Sequence, residues 1–195
     1  MLPCLEAGVD EVGRGCFSGS VFAAAVILPS DFDNPLIKDS KKLSEKQRLQ
    51  ASEIIKSQAL SYSIAYSTSS EIDSMNILQA TFQAMWRAID ALNIKPGHIL
   101  IDGDKFKKYP GIPHTCVVKG DATYYSIAAA SILAKVERDF YMNQIAKEYP
   151  LYGWDSNKGY GTLEHRQALL EYGPTPYHRK TFISNYVAQK TGSLF

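Results

Sequence analysis

The chain has 195 residues, of which 45% are hydrophobic and 21% are charged, and its formal net charge is +1. This composition excludes an intrinsically disordered chain, and no stretch approaches the 18 apolar residues of a transmembrane helix. Because the net charge is close to neutral, the chain has no overall positive field that would indicate nucleic-acid binding. A near-neutral charge does not exclude nucleic acid as a ligand, because an acidic catalytic centre can cancel a basic rim.

The three cysteines predict a reducing compartment. Cys4, Cys16 and Cys116 are odd in number, widely spaced and without a CxxC pair, which is typical of reduced thiols rather than of a disulfide frame or a zinc site. The N-terminal segment is too short, and too soon interrupted by Pro3, for a signal peptide. We therefore expect a cytoplasmic protein, with a monomer as the default state.

The N-terminal part predicts two strands and a helix. Apolar runs predict strands over Glu6–Asp10 and Val21–Leu28, joined through a glycine-containing turn as a hairpin. Ser44 and Gln47 form a capping-box pattern at the start of a helix that runs to about Leu60.

The middle of the chain alternates between strands and a helix. Alternating polarity predicts a strand over Ser61–Ser67. A mostly helical stretch follows over Glu71–Leu92, broken near Asn76. Two short strands then follow, over His98–Asp102 and His114–Val118.

The C-terminal part is helical and then rich in loops. A long helix is predicted over Ser126–Tyr149, with small residues in Ser126–Lys135 that favour close packing on a sheet. After Pro150 the chain becomes loop-rich, and Leu163–Tyr172 is the last predicted helix. Strands followed by alternating helices and strands predict an α/β domain with a mixed sheet.

Acidic residues end three of the predicted strands. Asp10 and Glu11 close the first, Asp102 closes the fourth, and Asp121 follows the fifth. If these strands are neighbours, the four carboxylates converge at one sheet edge, where they suit a two-metal phosphoryl-transfer site with Mg²⁺ or Mn²⁺. The alternative is that each is an ordinary strand-end or turn residue.

The adjacent pair Asp10 and Glu11 imposes a geometric condition. Successive side chains of a regular strand point to opposite faces, so the pair can serve one site only if the strand bends or bulges there. Gly13 and Gly15, which follow directly, make such a bend plausible. Asp104 is interpreted as a loop residue, and Asp139 as a salt-bridge acid or a support for the metal ligands.

The chain resembles the ribonuclease HII family over nearly its whole length. The resemblance rests on motifs in a fixed order: DEVGRG at 10–15, DSKKLS at 39–44, LIDG at 100–103, KGD at 119–121, SIAAASILAKVERD at 126–139, NKGYGT at 157–162 with His165, and GPTPYHRKTF at 173–182. It implies a ribonuclease H-like α/β fold with a mixed five-stranded sheet flanked by helices. Residues 1–195 would form a single catalytic domain, with about 150–195 as a C-terminal helical, substrate-binding extension.

The resemblance also implies an activity and a ligand set. Members cut RNA in RNA/DNA hybrids and nick duplex DNA 5′ of an embedded ribonucleotide, as in repair and replication, leaving 3′-hydroxyl and 5′-phosphate ends. The family's four metal-binding acids match Asp10, Glu11, Asp102 and Asp121, for two ions of Mg²⁺ or Mn²⁺. Its ribonucleotide-sensing loop matches Gly13-Arg14-Gly15, and the tyrosine that packs against the junction sugar matches Tyr160.

Two stretches depart from the commonest family pattern. Cys16-Phe17-Ser18-Gly19-Ser20 replaces the usual Pro-Leu-Ala-Gly-Pro, and Thr181 stands where a serine is usual. The first change affects loop rigidity and removes no catalytic atom. The second keeps the hydroxyl.

Basic residues in three clusters predict salt-sensitive, sequence-independent binding to phosphates. Candidates for phosphate contact are Lys41 and Lys42, beside a helix N-terminus that can hold phosphate, and His178 and Arg179 in the tail. Lys38, Lys46 and Lys180 flank them. The remaining cluster is Lys105, Lys107 and Lys108, of which Lys107 and Lys108 are better explained as part of a solvated charged face. His165 could bind phosphate, support Tyr160 or be structural, and an all-oxygen site makes it a poor metal ligand.

The last residues resemble peptides that dock into replication sliding clamps. The chain ends in Ser193-Leu194-Phe195, but the glutamine usual in such motifs is out of register, and Gln189 lies too far back. The tail therefore gives a weak motif for a clamp partner.

Three alternatives compete with a ribonuclease HII. Ribonuclease HIII carries an additional N-terminal domain, for which the first motif at residue 10 leaves no room. A non-catalytic nucleic-acid-binding module is disfavoured because converging carboxylates repel phosphate. A nucleotide-binding protein is disfavoured because neither GxGxxG nor a Walker pattern follows the first strand.

Overall fold

In a computed structural model, residues 5–38, 43–184 and 186 are described. They contain a mixed five-stranded sheet in the order β3-β2-β1-β4-β5, whose strands are β1 (Glu6–Val12), β2 (Val21–Ile27), β3 (Ser61–Ser67), β4 (His98–Asp102) and β5 (His114–Val117). β1 pairs antiparallel with β2, and β2 pairs antiparallel with β3. β4 runs parallel to both β1 and β5. The predicted mixed sheet and hairpin are confirmed.

Seven α-helices surround this sheet in the described part of the chain, besides a short helical turn over residues 180–184. They are α1 (Pro35–Lys38), α2 (Glu45–Gln58), α3 (Ser69–Met75), α4 (Ile77–Asp90), α5 (Tyr125–Glu148), α6 (Trp154–Asn157) and α7 (Leu163–Tyr172). Ser44 and Gln47 form the predicted capping box. The break at Asn76 is also confirmed, because this residue has a φ of 73° and caps α4 through its side chain.

Several boundaries differ from the predictions. α1 was not predicted, because four residues carry too little periodicity to be recognised. Short 3₁₀ helices occupy Gly120–Ala122 and Pro150–Tyr152, and residues 180–184 form a further helical turn after the segment predicted to be proline-rich loop. No helix in the described ranges is long and apolar enough to cross a membrane. Cys16 and Cys116 are free thiols, as predicted, and Cys4 lies outside the described residues.

Two apolar layers cover the two faces of the sheet. α4 packs on the face that carries Val9, Ala23 and Ala25. α5 and α2 pack on the opposite face, which carries Ala24 and Val26. A third cluster, centred on the buried Trp154, joins the end of α5 to the C-terminal extension. The site edge of the sheet is therefore held between α4 and α5, with the extension alongside.

Gly8 lets α5 approach β1 closely, as the small residues of this helix predict. A Cβ at Gly8 would lie 2.2 Å from the backbone carbon of Ser126 and 2.3 Å from the nitrogen of Ile127. We expect Gly8→Ala to lower the free energy of unfolding by about 3 kcal/mol, because the helix must move. Gly15→Ala is the control, since no heavy atom lies within 4 Å of its added Cβ. Equal urea midpoints for the two variants would contradict this packing account.

Candidate active site

Asp10 and Glu11 lie on opposite faces of the sheet. The pairing of β1 with β2 runs without interruption from Ala7–Ile27 to Val12–Phe22, so the bend or bulge expected at these acids is absent. β1 instead continues two residues beyond the prediction, which places both acids inside the strand. Asp10 points to α5, where it receives a hydrogen bond from Ser131.

Glu11 points to the α4 side. It lines a pocket of about 200 Å³ together with Asp102 and Asp104 and with α4 side chains that include Thr81 and Met85. Its carboxylate pairs with Arg14, at 3.1 Å between Oε1 and Nη1. Its other oxygen, Oε2, is buried and has no hydrogen-bond partner.

Asp102 links the two faces electrostatically. It is the last residue of β4, and the pairing of β4 with β1 stops one residue earlier, at Val9–Ile101. The charge of Asp102 contributes to a raised pKa at both.

Asp121 reaches the same edge through a turn rather than a strand end. It is buried in the 3₁₀ helix that precedes α5, so the prediction that it closes a strand is wrong. Its neighbour Gly120 donates its N–H to Oδ1 of Asp102 at 2.7 Å. The turn is therefore tied to the end of β4, one residue from Asp121.

Burial disfavours the ionised form of the two β1 carboxylates and raises their pKa values. Desolvation raises the pKa of Asp10 well above its ordinary value, the negative charges of Glu11 and Asp102 raise it further, and the hydrogen bond from Ser131 opposes them. Desolvation likewise raises the pKa of Glu11, against the lowering effect of Arg14. As the side chains stand, no group of three or more His, Cys, Asp or Glu in the described ranges is arranged to hold a metal ion.

The loop that joins β1 to β2 curls around two buried arginines. The guanidinium of Arg179 donates to the carbonyls of Gly13, Arg14 and Gly19 at 2.7–2.9 Å. The guanidinium of Arg138 donates to the carbonyls of two further loop residues and to that of Lys158. Both side chains are fully buried. Arg179 was expected to contact phosphate, but its donors are directed into this loop and not to the surface.

Tyr160 lies beside the same loop. Gly159 accepts hydrogen bonds from the N–H groups of Phe17 at 2.8 Å and Ser18 at 3.3 Å. The flanking glycines are required by packing: a Cβ at Gly159 would lie 2.6 Å from the Ser18 carbonyl oxygen, and one at Gly161 would lie 2.6 Å from the Phe17 ring. The Tyr160 side chain stays 45% exposed. The two predicted substrate-reading segments are therefore adjacent.

His165 and His178 are buried and neutral. Trp154 donates its indole N–H to Nε2 of His165 at 3.1 Å. Nε2 must then be unprotonated, so Nδ1–H donates to the carbonyl of Tyr160 at 2.9 Å. His178 lies 3.1 Å from the same Nε2 and accepts the N–H of Thr175 at its own Nδ1. His165 thus supports Tyr160, which was one of the three alternatives given for this residue from the sequence. Neither ring is exposed to a phosphate.

Burial of His178 predicts acid sensitivity of folding. Burial, and secondly its neighbour His165, lower the pKa of His178 to about 3 from the usual 6.5. The unfolded chain takes up a proton that the folded protein resists, so stability falls as the pH drops below about 6.5, by about 1.4 kcal/mol per pH unit for this group. Urea unfolding between about pH 7.5 and 5.5 measures the slope. His178→Asn should have a smaller slope, and equal slopes would contradict the neutral buried histidine.

The other predicted residues are distributed around this centre. Asp139 pairs with Lys135 at 2.5 Å and with Arg48 at 3.9 Å, which confirms the salt-bridge interpretation. Asp104 and Lys105 line the Glu11 pocket. Lys46, Lys107, Lys108 and Lys180 are exposed. Lys41, Lys42 and the side chain of Lys38 lie outside the described residues.

Sequence reasoning missed the side chains that organise the loop. Arg138, Trp154 and Ser131 all lie in stretches that were noted for other reasons. Asp73 was not considered, yet its carboxylate accepts the N–H groups of Lys180 and Thr181 at 2.9 and 3.0 Å. The sequence gives only a weak signal for Arg138 and Ser131, because an arginine or a serine in a helix cannot be distinguished from a surface residue until the fold is known.

Comparison with known proteins agrees with this architecture. The model of the family described as Ribonuclease HII matches residues 7–185. The chain belongs to the ribonuclease HII family. Ribonuclease HII of Phocaeicola vulgatus is 61% identical over 178 residues, which cover 91% of this chain and 89% of that protein. The prediction of a ribonuclease H hydrolase is confirmed, and the non-catalytic and nucleotide-binding alternatives are set aside.

Solved structures of archaeal relatives share the fold. The crystal structure of ribonuclease H2 from Pyrococcus horikoshii superposes with a TM-score of 0.82 at 26% identity, over 96% of this chain and 99% of that one. RNase HII of Archaeoglobus fulgidus, solved in a complex with PCNA, gives a TM-score of 0.75 at 25% identity, over 90% and 93% of the two chains. The ribonuclease H-like fold with its C-terminal extension is therefore confirmed.

Proposed function

We propose that this member of the ribonuclease HII family hydrolyses the RNA strand of RNA/DNA hybrids and nicks duplex DNA on the 5′ side of an embedded ribonucleotide, leaving 3′-hydroxyl and 5′-phosphate ends. The observation that carries the proposal is the placement of Asp10, Glu11 and Asp102 at one sheet edge, with raised pKa values at the first two. The loop at Gly13-Arg14-Gly15 lies directly beside them.

The ligand chemistry of the acidic edge suits divalent metal ions, although the described side chains as they stand do not form a cluster of three ligands. The donor set is all oxygen, as Mg²⁺ and Mn²⁺ prefer. The unpartnered Oε2 of Glu11 and the mutual repulsion of the carboxylates are the features that a bound cation would relieve. Asp10, Glu11, Asp102 and Asp121 would hold the metal. When bound, two such ions supply an activated water and charge stabilisation at the leaving oxygen.

The chain's own residues would select the cleavage position. RNA differs from DNA by its 2′-hydroxyl, which both donates and accepts hydrogen bonds, and the Gly13-Arg14-Gly15 backbone can approach it without obstruction from side chains. Tyr160 would lay its ring against the following sugar, where deoxyribose fits and an additional hydroxyl would be crowded. Because Tyr160 and this loop are held together through Phe17, Ser18 and His165, the two contacts would read one ribo-to-deoxyribo junction.

The basic surface would hold the duplex by its phosphates. We assign this role to Lys41, Lys42 and Lys46, and to residues 150–195 as a substrate-binding extension. In that extension Arg179 and His178 would act by shaping the loop, since both are buried. Binding should then weaken with salt and be independent of sequence.

Cleavage of a labelled RNA/DNA hybrid tests the activity. The RNA strand is labelled at one end and incubated with Mg²⁺, Mn²⁺ or EDTA. Metal-dependent fragments whose new 5′ ends accept a ligase, and whose 3′ ends prime a polymerase, support the proposal. Cleavage in EDTA, or fragments with 3′-phosphate ends, would reject the proposed chemistry.

We also propose a sliding-clamp partner that binds through the C-terminal tail. The support is the terminal Ser193-Leu194-Phe195 and the A. fulgidus relative solved with PCNA. The tail lies outside the described residues. Deleting Gly192–Phe195 should abolish binding to an immobilised clamp while hybrid cleavage is unchanged. Unchanged clamp affinity, or none in the intact chain, would end the proposal.

A further inference from the structure

The guanidinium of Arg179 is an unusual buried cation. It is fully buried, no described carboxylate forms an ion pair with it, and burial lowers its pKa to about 10, so it remains charged at neutral pH. Its donors all go to backbone carbonyls: Nη2 to Gly13 at 2.7 Å, Nη1 to Arg14 at 2.8 Å, and Nε and Nη2 to Gly19 at 2.9 and 2.8 Å. Burying a charge without an ion partner is costly. The hydrogen bonds that the buried guanidinium makes fix the orientation of three peptide groups.

That orientation has a direct consequence for the outer side of the loop. In a trans peptide the carbonyl of one residue and the N–H of the next point in opposite directions. Since the carbonyls of Gly13 and Arg14 point inward to Arg179, the N–H groups of Arg14 and Gly15 point outward. Within the described ranges neither N–H donates to a protein acceptor, and both residues are exposed.

Two successive outward N–H groups make a concave site for an oxygen anion. The backbone of Arg179 and of the residues that follow it is also held in place. The N–H of Arg179 donates to the carbonyl of Phe17 at 2.8 Å, and Asp73 fixes the next two residues of the tail. Asp73 lies in α3, outside the loop, so the position of Arg179 does not depend on the loop alone.

We propose that Arg179 is a positioning residue that sets the peptide planes of Gly13 and Arg14, so that the N–H groups of Arg14 and Gly15 receive an oxygen of the substrate's sugar–phosphate backbone. The inference rests on the proposed function and adds a residue that acts without touching substrate. A planar fork with five donors can hold three carbonyls at once, and the single ammonium of a lysine cannot. The oxygen belongs either to a phosphate or to the ribose 2′-hydroxyl, and the two sources are separable.

Arg179→Lys tests the inference because it keeps the net charge. Affinity is measured by fluorescence anisotropy, without metal, for an all-DNA duplex and for the same duplex with one ribonucleotide. We expect binding about tenfold weaker, which corresponds to the loss of about one hydrogen bond to the substrate, with an unchanged salt slope. An equal loss on both duplexes identifies a phosphate oxygen. A loss on the ribonucleotide duplex alone identifies the 2′-oxygen. Arg166→Lys is the control, since Arg166 is exposed and lies over the Phe17 ring.

A merely structural role predicts a different result. Arg179→Lys would then unfold at a lower temperature, while the folded fraction would bind both duplexes as the wild type does, and that outcome overturns the inference. A measurement on the wild type avoids any folding defect: adding duplex should shift the amide resonances of Arg14 and Gly15, and unmoved resonances would also overturn it. If the wild type binds duplex but cleaves no hybrid, the proposed function fails, while the affinity ratio still decides the role of Arg179.

Discussion

Asp10→Asn is expected to lower kcat by about a thousandfold or more, while the metal-free protein unfolds at the same or a higher urea concentration. The loss of turnover follows from removing a negative oxygen that would hold a divalent ion at the reaction centre. The unchanged stability follows from burial: the pKa of Asp10 is raised well above its ordinary value, so its carboxylate opposes folding at neutral pH. Asparagine keeps an oxygen acceptor for Ser131 and for the N–H of Glu11.

Turnover and stability are read separately for this variant. Cleavage of the hybrid under single-turnover conditions measures the first, and urea unfolding in EDTA measures the second. Asp31→Asn is the matched control, because Asp31 is exposed and lies outside the acidic edge. Near-normal cleavage by Asp10→Asn would overturn the assignment of Asp10 as a metal ligand. A stability loss of several kcal/mol would instead show that the buried carboxylate supports the fold.

Tyr160→Ala is expected to reduce kcat/KM at a ribo-to-deoxyribo junction by about 10- to 100-fold, the range of one aromatic stacking contact, with a smaller loss in duplex affinity. The fold should tolerate the change, because the side chain is 45% exposed. The loop backbone is held without it, by Gly159 to Phe17 and by His165 to the Tyr160 carbonyl.

Two companion variants sharpen the result for Tyr160. Tyr160→Phe keeps the ring and should cleave the junction at a near-normal rate, since the ring and not the hydroxyl would meet the sugar. Tyr62→Ala removes another exposed tyrosine, on the edge strand β3, and should change neither rate nor affinity. Equal losses of affinity and junction cleavage in Tyr160→Ala would make Tyr160 a general binding residue.

Local patterns were sufficient to predict most of the fold. The capping box at Ser44, the break at Asn76 and the helix over Leu163–Tyr172 are each specified by nearby residues, so the sequence predicts them directly. The alanines of α5 indicate close helix–sheet packing in the same way, whereas Gly8, which the helix approaches, was not singled out from the sequence. The turn that carries Asp121 was assigned to a strand end because its 3₁₀ geometry depends on Gly120 bonding to Asp102, a contact across 18 residues.

The candidate site was predicted in its residues but not in its geometry. A bend was expected to bring Asp10 and Glu11 together, whereas the strand stays regular and Asp102 is the carboxylate that both sense. Arg179 and His178 were interpreted as surface charges because charge and position in a tail are all that a sequence shows. Their burial arises from tertiary contacts with the loop at Gly13–Ser20, more than 150 residues away in the chain, which no local pattern encodes.

The measurement that tests the central claim most directly is cleavage of end-labelled duplex DNA that carries one ribonucleotide, with Mg²⁺, Mn²⁺ or EDTA, beside the same duplex made only of DNA. We predict a single metal-dependent cut on the 5′ side of the ribonucleotide and none in the all-DNA control. A cut at any other position, or equal cutting of the control, would contradict junction reading by the Gly13-Arg14-Gly15 loop and Tyr160.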